Sequence, residues 1–523
     1  MVFFASLLTA CQSLPNTPHL KKSLEISQKI ADTRNQDNHT TAHLSRAVGE
    51  QTATHPNLSG YYPIATGANA FAARSILSDM ATTSIDVQYY IWHNDEAGQL
   101  MLKDLWEAAE RGVLVRLLLD DMNGSQGLDR LLIRFANHPN IAVRLVNPAV
   151  YRNLRPLNLL TNPARTNVRM HNKSMTFDNR ISIIGGRNIG NEYLNNDKNN
   201  NFADLDVLLI GAVVPKISDS FEDYWNSPLS YDIETLVQPA NDDFLPRLLL
   251  IDMTAKEAAS QEQQALRTYR RAVESSTIGE DLLAKQVPFR WARIDFLVDD
   301  ADKLLRQHSE NGLLVHKLRE EFGTPKETFS IISSYFVPTH DGTKGLVSLA
   351  NQGVNIKILT NSYDATDVGA VHAGYAHWRK DLLKAGIKLY ELKSTPKQNG
   401  STEDTNRLWR TRGHTTTSLH AKAFAVDTHK VFIGSYNVDP RSANINTEMG
   451  VVIYDDMLAE RLHNALSDTL LNQAYEVRLN GDKLEWHTLE NGKRVILHKE
   501  PKMHINDKIG IAVLSKLPID WLL

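Results

Sequence analysis

The feature that most constrains this chain is a phrase of strand, helix and strand that occurs twice. Ile85–Ile91 is rich in β-branched and aromatic residues and reads as a strand. Ala97–Arg111 follows as an amphipathic helix, with Met101, Leu105 and Ala108 on one face. Gly112 ends it, and Val113–Leu119 is a nearly continuous apolar strand. The order returns as Phe329–Val337, Gly345–Ala350, Gly353 and Val354–Leu359, so that Ala109-Glu110-Arg111-Gly112-Val113 corresponds to Ala350-Asn351-Gln352-Gly353-Val354. Strand, helix and strand with short connections predict an α/β fold with a parallel sheet covered on both faces. With 523 residues the chain is too long for one core. A repeat of this length means two copies of one domain rather than a solenoid.

Each copy carries the same polar residues at the same spacing. The first has His171, Lys173, Asp178, then Gly185-Gly186-Arg187-Asn188. The second has His420, Lys422, Asp427, then Gly434-Ser435-Tyr436-Asn437, and the interval from His to Asn is 17 positions in both. An acidic residue follows each set: Asp204 in the first and Glu448 in the second, with the Asn-rich insert Asn195–Asn201 lengthening the first gap. Residues two apart on a strand share a face, so His171 points with Lys173 and His420 with Lys422. Ile181–Ile184 and Val431–Ile433 are the next apolar strands, and they end in Gly-rich turns that set Asn188 and Asn437 at the same sheet edge. Packing the copies edge to edge brings two His, two Lys and two Asn into one pocket.

That set suits phosphodiester exchange. Lys173 and Lys422 neutralise the phosphoryl oxygens, and Asn188 and Asn437 donate neutral hydrogen bonds. One imidazole attacks phosphorus and the other protonates the departing alcohol. Asp204 and Glu448 are each expected to bind the far ring nitrogen of the histidine in their own half, fixing its tautomer. Asp178 and Asp427 are expected to be structural, bonding backbone near the strand turn. No metal or other cofactor is called for. Tyr90 and Tyr335, assigned to equivalent strand ends, are candidates to line the pocket mouth, with a core role as the alternative. Arg187 is either a phosphate contact or a solvated loop charge. His372 and His377 fall in a helix with a packing or pocket-lining role, and Arg441 and Ser442 are expected to brace the loop after Asn437.

The formal net charge of −4 and the lack of a basic run argue against a nucleic-acid partner. Cys11 is the single cysteine, which excludes an internal disulfide framework and a Cys-rich zinc site. It closes Leu8-Thr9-Ala10-Cys11 after the apolar run Val2–Ala10. This resembles a bacterial lipoprotein signal and implies lipidation at Cys11 on the periplasmic side, although no Lys or Arg precedes the run. Gln12, in place of Asp, leans toward the outer membrane. The domain plan is then 1–11 signal and lipobox, 12–60 polar tether with a helix near Leu20–Ala31, and 61–235 first domain. A helical connector follows over 236–289, with its helix around Thr254–Ser275. The second domain is 290–475, its sheet starting at Ala292–Val298. In the C-terminal extension, 476–523, Lys508–Leu523 with Trp521 is able to rest in a membrane interface. No segment has the uninterrupted apolar length of a transmembrane helix.

The paired motifs resemble the phospholipase D superfamily, whose mark is HxKx4D followed by GSxN, from about Tyr61 to the C-terminus. Leu359–Ser362, Ala365–Val368, Val371–Tyr375 and Leu517–Leu523 are most similar to the bacterial type C cardiolipin synthases. The resemblance implies two α/β/α sandwich domains forming a pseudo-twofold dimer within one chain and a covalent phosphohistidine. It implies His171 as nucleophile and His420 as acid, and a phospholipid substrate: phosphatidylglycerol, with phosphatidylethanolamine as a further candidate, taken from a membrane surface. Gly186 departs from the pattern where Ser435 keeps it, so Ser435 is a further candidate for substrate contact, through a hydroxyl that the first half lacks. Phosphatidyl transfer that yields cardiolipin, hydrolysis to phosphatidic acid, a nuclease of the same superfamily, and a membrane-tethered binding protein with a silent site all remain open at this point.

Overall fold

The computed structural model describes residues 13–35, 43–194, 200–238, 261–366, 368–394 and 416–503. Cys11, residues 254–260 of the connector, Asp367, most of the Asn-rich insert and the tail Lys508–Leu523 lie outside them.

The first half contributes β1 (Ser59–Ile64), β2 (Ser84–Tyr89), β3 (Leu114–Asp120), β4 (Ile141–Val146), β5 (Ser174–Phe177), β6 (Ile181–Gly185), β7 (Asn200–Ala203), β8 (Asp206–Gly211) and β9 (Ser230–Asp232). The second contributes β10 (Arg290–Ala292), β11 (Ile294–Val298), β12 (Thr328–Ser333), β13 (Asn355–Asn361), β14 (Lys388–Leu392), β15 (Thr416–Leu419), β16 (Lys422–Val426), β17 (Lys430–Gly434), β18 (Met449–Tyr454), β19 (Ala474–Asn480), β20 (Lys483–Glu490) and β21 (Lys493–Leu497).

The sheet orders are β10-β1-β8-β6-β5-β2-β3-β4-β9 and β11-β18-β17-β16-β12-β13-β14-β19-β20-β21. Without β10, β20 and β21 the two orders are the same, strand for strand. In each, the β2–β3–β4 and β12–β13–β14 triplets are parallel and the rest antiparallel. The parallel triplet is the repeated phrase of the sequence. Its helices, Glu96–Glu110 and Thr339–Asn351, both give way to a glycine at φ near +98°, Gly112 and Gly353. A side chain there would be strained, which is why the stop recurs as Gly.

Helices cover both sheets. Leu100, Leu105 and Ala108 of Glu96–Glu110 are buried against the first sheet, and Leu458 and Leu462 of Asp456–Ala465 against the second. The halves meet along β6 and β8 on one side and β17 and β18 on the other. One apolar cluster runs across that seam through Ile184, Leu205, Val207, Leu419, Ile433 and Val451.

Three boundaries differ from the sequence reading. The described residues of the stretch 12–60, 13–35 and 43–60, are not a tether: helices Lys21–Asn35 and His43–Ala53 dock on the first domain. Ile26, Ile30, Leu44 and Val48 are buried, and Arg34 pairs with buried Asp86. The polar residues that suggested a solvated linker are the outer faces of these helices and their ion pairs. Ala292 ends β10, which pairs with β1, so the second sheet starts at Ile294. The stretch after 475 is not an appendage throughout, because β19, β20 and β21 extend the second sheet. The connector helix Gln261–Glu274 packs outside the first sheet, with the Tyr269 ring tilted against Phe71, ring centres 4.2 Å apart, and its hydroxyl donating to Asn191. Among the described residues no helix is long and apolar enough to cross a membrane.

Candidate active site

The two histidines stand where the halves cross. The His171 amide donates to the Thr447 carbonyl, and the Thr447 amide donates to the Arg169 carbonyl. In the mirror arrangement the His420 amide donates to the Ala203 carbonyl, and β15 runs parallel to β7 with Leu419 opposite Ala203. The residue before each acid is therefore stitched to the histidine segment of the other half. A second matched brace fixes the residue before each histidine: Asp120 at the end of β3 accepts from the Met170 amide at 2.8 Å, and Asn361 at the end of β13 accepts from the Leu419 amide at 2.8 Å.

This stitching decides the carboxylate partners. His171 Nδ1 lies 2.8 Å from Glu448 Oε2, and His420 Nδ1 lies 2.5 Å from Asp204 Oδ2. The expected pairing within each half is wrong. Parallel pairing across the seam puts Asp204 one residue after β7 and Glu448 one residue before β18, each against the other half's ring. With Nδ1 held in both rings, Nε2 is the atom each presents to the pocket.

The lysines follow their histidines back toward the chain. Lys173 Nζ donates to the His171 carbonyl at 2.6 Å and sits 5.2 Å from the Tyr90 ring centre. Lys422 Nζ donates to the His420 carbonyl at 2.5 Å and to Ser334 Oγ at 3.0 Å. Asn188 Oδ1 accepts from the Ile91 amide, while its Nδ2 is buried without a hydrogen-bond partner among the described residues. Asn437 Oδ1 accepts from Ser334 Oγ. A buried donor with nothing to donate to is costly, and an incoming phosphoryl oxygen would satisfy it.

The electrostatics are those of a site awaiting an anion. Burial, then Lys173 and Lys422, hold the His171 ring well below the ordinary histidine value. Burial and Lys422 also lower His420, with Asp204 opposing. Burial pulls Lys173 down to about 7. An anion bound beside it would supply the countercharge that restores its proton. Burial pushes Glu448 up to about 7, against Lys173 and Ser435. Burial works on Asp204 in the same direction, but His420, Lys422 and Arg187 outweigh it and hold the carboxylate at about 2.

The motif aspartates stand at the far end of their strands from the histidines. Asp178 accepts from the amides of Thr82, Thr83 and Ser84, and Asp427 from those of Lys326, Glu327 and Thr328. Both have positive φ, near +50°, as a tight reversal before the next strand requires. Ser435 Oγ donates to Glu448 Oε2 at 2.5 Å. Arg187 is neither a phosphate contact nor a solvated charge: it is fully buried and donates to the carbonyls of Ile64, Ala65 and Asp204. It braces the backbone that carries Asp204. Arg441 donates to Asn167, and Ser442 Oγ accepts from the Asn437 amide. His372 is buried and hydrogen-bonded to Glu500 and Arg379.

Tyr90 packs edge-on to His171 with ring centres 4.8 Å apart. Tyr335 does not match it. The strand registers make Ile85 equivalent to Phe329, since they face Phe177 and Val426, so the counterpart of Tyr90 is Ser334. Tyr335 packs instead against Val337 and Val371. The rings beside His420 come from the other half: Tyr193 at 5.2 Å and Phe202 at 5.0 Å. Sequence reasoning missed these two and Ser334. Their only signal was position, Tyr193 and Phe202 flanking the Asn-rich insert between Asn188 and Asp204. Beside the site, donor atoms of His93, Asp95 and Glu192 lie within 4.8 Å of one another. Asp95 there already caps helix Glu96–Glu110 through the Gly98 amide.

The family model described as "Cardiolipin synthase, PLD-like domain" matches residues 77–225 and 318–470, one match in each half. Cardiolipin synthase C of Escherichia coli (strain K12) is 41% identical over 481 residues, covering 92% of this chain and 99% of that protein. A cardiolipin synthase of Staphylococcus aureus is 27% identical, over 75% of this chain and 63% of that protein. Among solved structures, phosphatidylserine synthase of Haemophilus influenzae Rd KW20 superposes with a TM-score of 0.53 at 15% identity, covering 91% of this chain and all of that one, a likeness of fold.

Proposed function

Because the chain belongs to the phospholipase D-like cardiolipin synthase family, we propose that it is a phosphatidyltransferase in which His171 attacks a phospholipid phosphodiester and His420 serves as proton donor and acceptor. The observation that carries this reading is the crossed pair of histidine–carboxylate dyads, His171 with Glu448 and His420 with Asp204, with both lysines beside them.

Glu448 accepts from Nδ1–H of His171, which leaves the Nε2 lone pair for phosphorus. The new P–N bond forms as the P–O bond to the headgroup alcohol breaks, and His420 Nε2–H gives that oxygen its proton. Asp204, ionised at every working pH, stabilises the His420 imidazolium that this step needs. Lys173, Lys422 and the unpaired Asn188 amide hold the phosphoryl oxygens. In the second half-reaction an acceptor hydroxyl loses its proton to His420 and attacks phosphorus, and the P–N bond breaks. The low value of His171, set by burial and two lysines, suits a ring that must be neutral to attack.

Phosphatidylglycerol is the proposed acceptor, and the product is then cardiolipin. Phosphatidylglycerol or phosphatidylethanolamine is the donor. Lipidation at Cys11, on the periplasmic side and toward the outer membrane, belongs to the same proposal and rests on Leu8-Thr9-Ala10-Cys11; the mass of the mature N-terminal peptide tests it. The activity test is a mixed-micelle assay with labelled phosphatidylglycerol, with and without phosphatidylethanolamine, products resolved by mass. Cardiolipin is the expected product. Phosphatidic acid as the sole product would replace transfer by hydrolysis, and no lipid turnover would overturn the reading.

A further inference from the structure

Of the eight large apolar side chains that stand exposed among the described residues, four gather on one projection. Leu154, Leu159 and Leu160 are 61%, 58% and 79% exposed on the segment between β4 and β5, and Met122, 46% exposed, follows β3. The segment is ordered by its own polar network. Asp121, next to Met122, takes ion pairs from Arg152 and Arg155, and Asn158 accepts from the amides of Val150 and Tyr151. Short helices Pro156–Thr161 and Pro163–Asn167 result, with the leucines facing out. So much ordered apolar surface left open marks an interaction site.

Its placement says with what. The segment runs directly into the active site: Arg169 donates to the Thr166 carbonyl, Asp120 holds the Met170 amide, and His171 is the next residue. On the other side Arg441, four residues past Asn437, holds Asn167. Three guanidiniums rim the projection, Arg165, Arg306 and Arg441. Each donates to carbonyls or an amide oxygen of this neighbourhood, and none is in an ion pair among the described residues. Apolar side chains that reach outward beside guanidiniums held in no ion pair among the described residues, at the mouth of a site whose substrate is a bilayer component, fit an anionic lipid surface.

We propose that Leu154–Leu160, with Met122, inserts into the interface of an anionic bilayer and delivers the mouth of the His171 pocket to lipid phosphates. This rests on the phosphatidyltransferase reading for its purpose, but its test does not depend on turnover. The full chain would carry Cys11→Ser, so that an acyl anchor cannot mask the contact. Binding to vesicles of phosphatidylcholine with phosphatidylglycerol would be compared between this protein and its Leu159→Ser/Leu160→Ser variant. Leu283→Ser, an exposed leucine on another face, is the control. Removing two inserted leucines should weaken vesicle binding about tenfold or more, with the control unchanged. Turnover of monomeric short-chain phosphatidylglycerol should keep its kcat and KM, while turnover of vesicle lipid falls with binding. Unchanged vesicle binding would overturn the proposal. So would an equal fall in both assays, or a loss of self-association without loss of vesicle binding, which would assign the leucines to a second copy of the chain. If no lipid is turned over at all, the function reading fails while the binding comparison still decides this one.

Discussion

The two halves build the same half-site from different residues, and the differences come in matched sets. Around His171 the acid is Glu448, its turn carries Ser435, and the ring beside Lys173 is Tyr90. Around His420 the acid is Asp204, the turn residue is Gly186, and the group beside Lys422 is Ser334. Aspartate is one methylene shorter, so its carboxylate reaches the ring only by lying over the turn, and a Cβ on Gly186 would come 2.2 Å from Asp204 Oδ1. Glutamate clears its turn and leaves room for a hydroxyl, which Ser435 supplies. Gly186 is therefore the partner of Asp204, and the departure from the motif is compensated. The result is one carboxylate held at about 2 and another raised to about 7, around rings proposed to take opposite tasks. Pseudo-symmetry has been kept in the backbone and broken in the charge.

The largest effect should come from removing either ring. His171→Ala and His420→Ala should each lower phosphatidyl transfer about 10,000-fold, and the double variant should be little worse, because the two act as one unit. Single-turnover assays with labelled lipid separate the halves: His171→Ala should leave no phosphoenzyme. A phosphoenzyme formed by His171→Ala and lost in His420→Ala would reverse the roles.

The acids should differ next. Asp204→Asn removes a charge present throughout the accessible range and should cost about 1,000-fold at every pH. Glu448→Gln keeps an acceptor for Nδ1–H that does not titrate. It should cost about tenfold at the optimum and flatten the acid limb, which in the wild type reflects Glu448 taking a proton near pH 7. The stability signs are opposite too. Asp204, depressed in the folded state, contributes about 2 kcal/mol above the ordinary carboxylate value, lost as pH falls through about 2. Glu448, raised by burial, weakens the fold progressively as pH rises from its ordinary value to about 7, by about 3 kcal/mol in the limit. At pH 8, melting of Glu448→Gln should be higher than wild type and that of Asp204→Asn lower. Equal shifts in both would remove this asymmetry.

The matched spacing of His171, Lys173 and Asn188 with His420, Lys422 and Asn437 was enough to read a repeated α/β unit and one shared pocket. Each of those side chains lies at a fixed distance from a local strand end, the lysines at or one residue before the starts of β5 and β16 and the asparagines three residues past β6 and β17, so sequence distance places them alike in the two halves. The crossing of Asp204 and Glu448 was not legible, because it depends on which strand of one half meets which segment of the other, and nothing local records a seam. The same holds for Tyr193 and Phe202, which act on a ring some two hundred positions away. Tyr335 misled because two tyrosines at similar places invite pairing, whereas register, fixed by Asp178 and Asp427, moves the match by one residue. Residues 12–60 misled because their apolar positions are few, and helices docked by Ile26, Ile30, Leu44 and Val48 need no more.

The sharpest test of the matched sets uses the turn residues, where the expected effects are smaller and unequal. Gly186→Ser forces a Cβ against Asp204 and should displace it from His420, lowering transfer about 100-fold. Ser435→Gly only removes one hydroxyl from Glu448 and should cost about tenfold, the worth of one charge-assisted hydrogen bond. Chain symmetry alone predicts the reverse, since Gly186→Ser restores the repeat and Ser435→Gly breaks it. The decisive comparison is therefore the order of the two losses, measured on the same lipid. If the serine at 186 were harmless, Asp204 and Gly186 would be independent, and the length of the acid would no longer explain the turn.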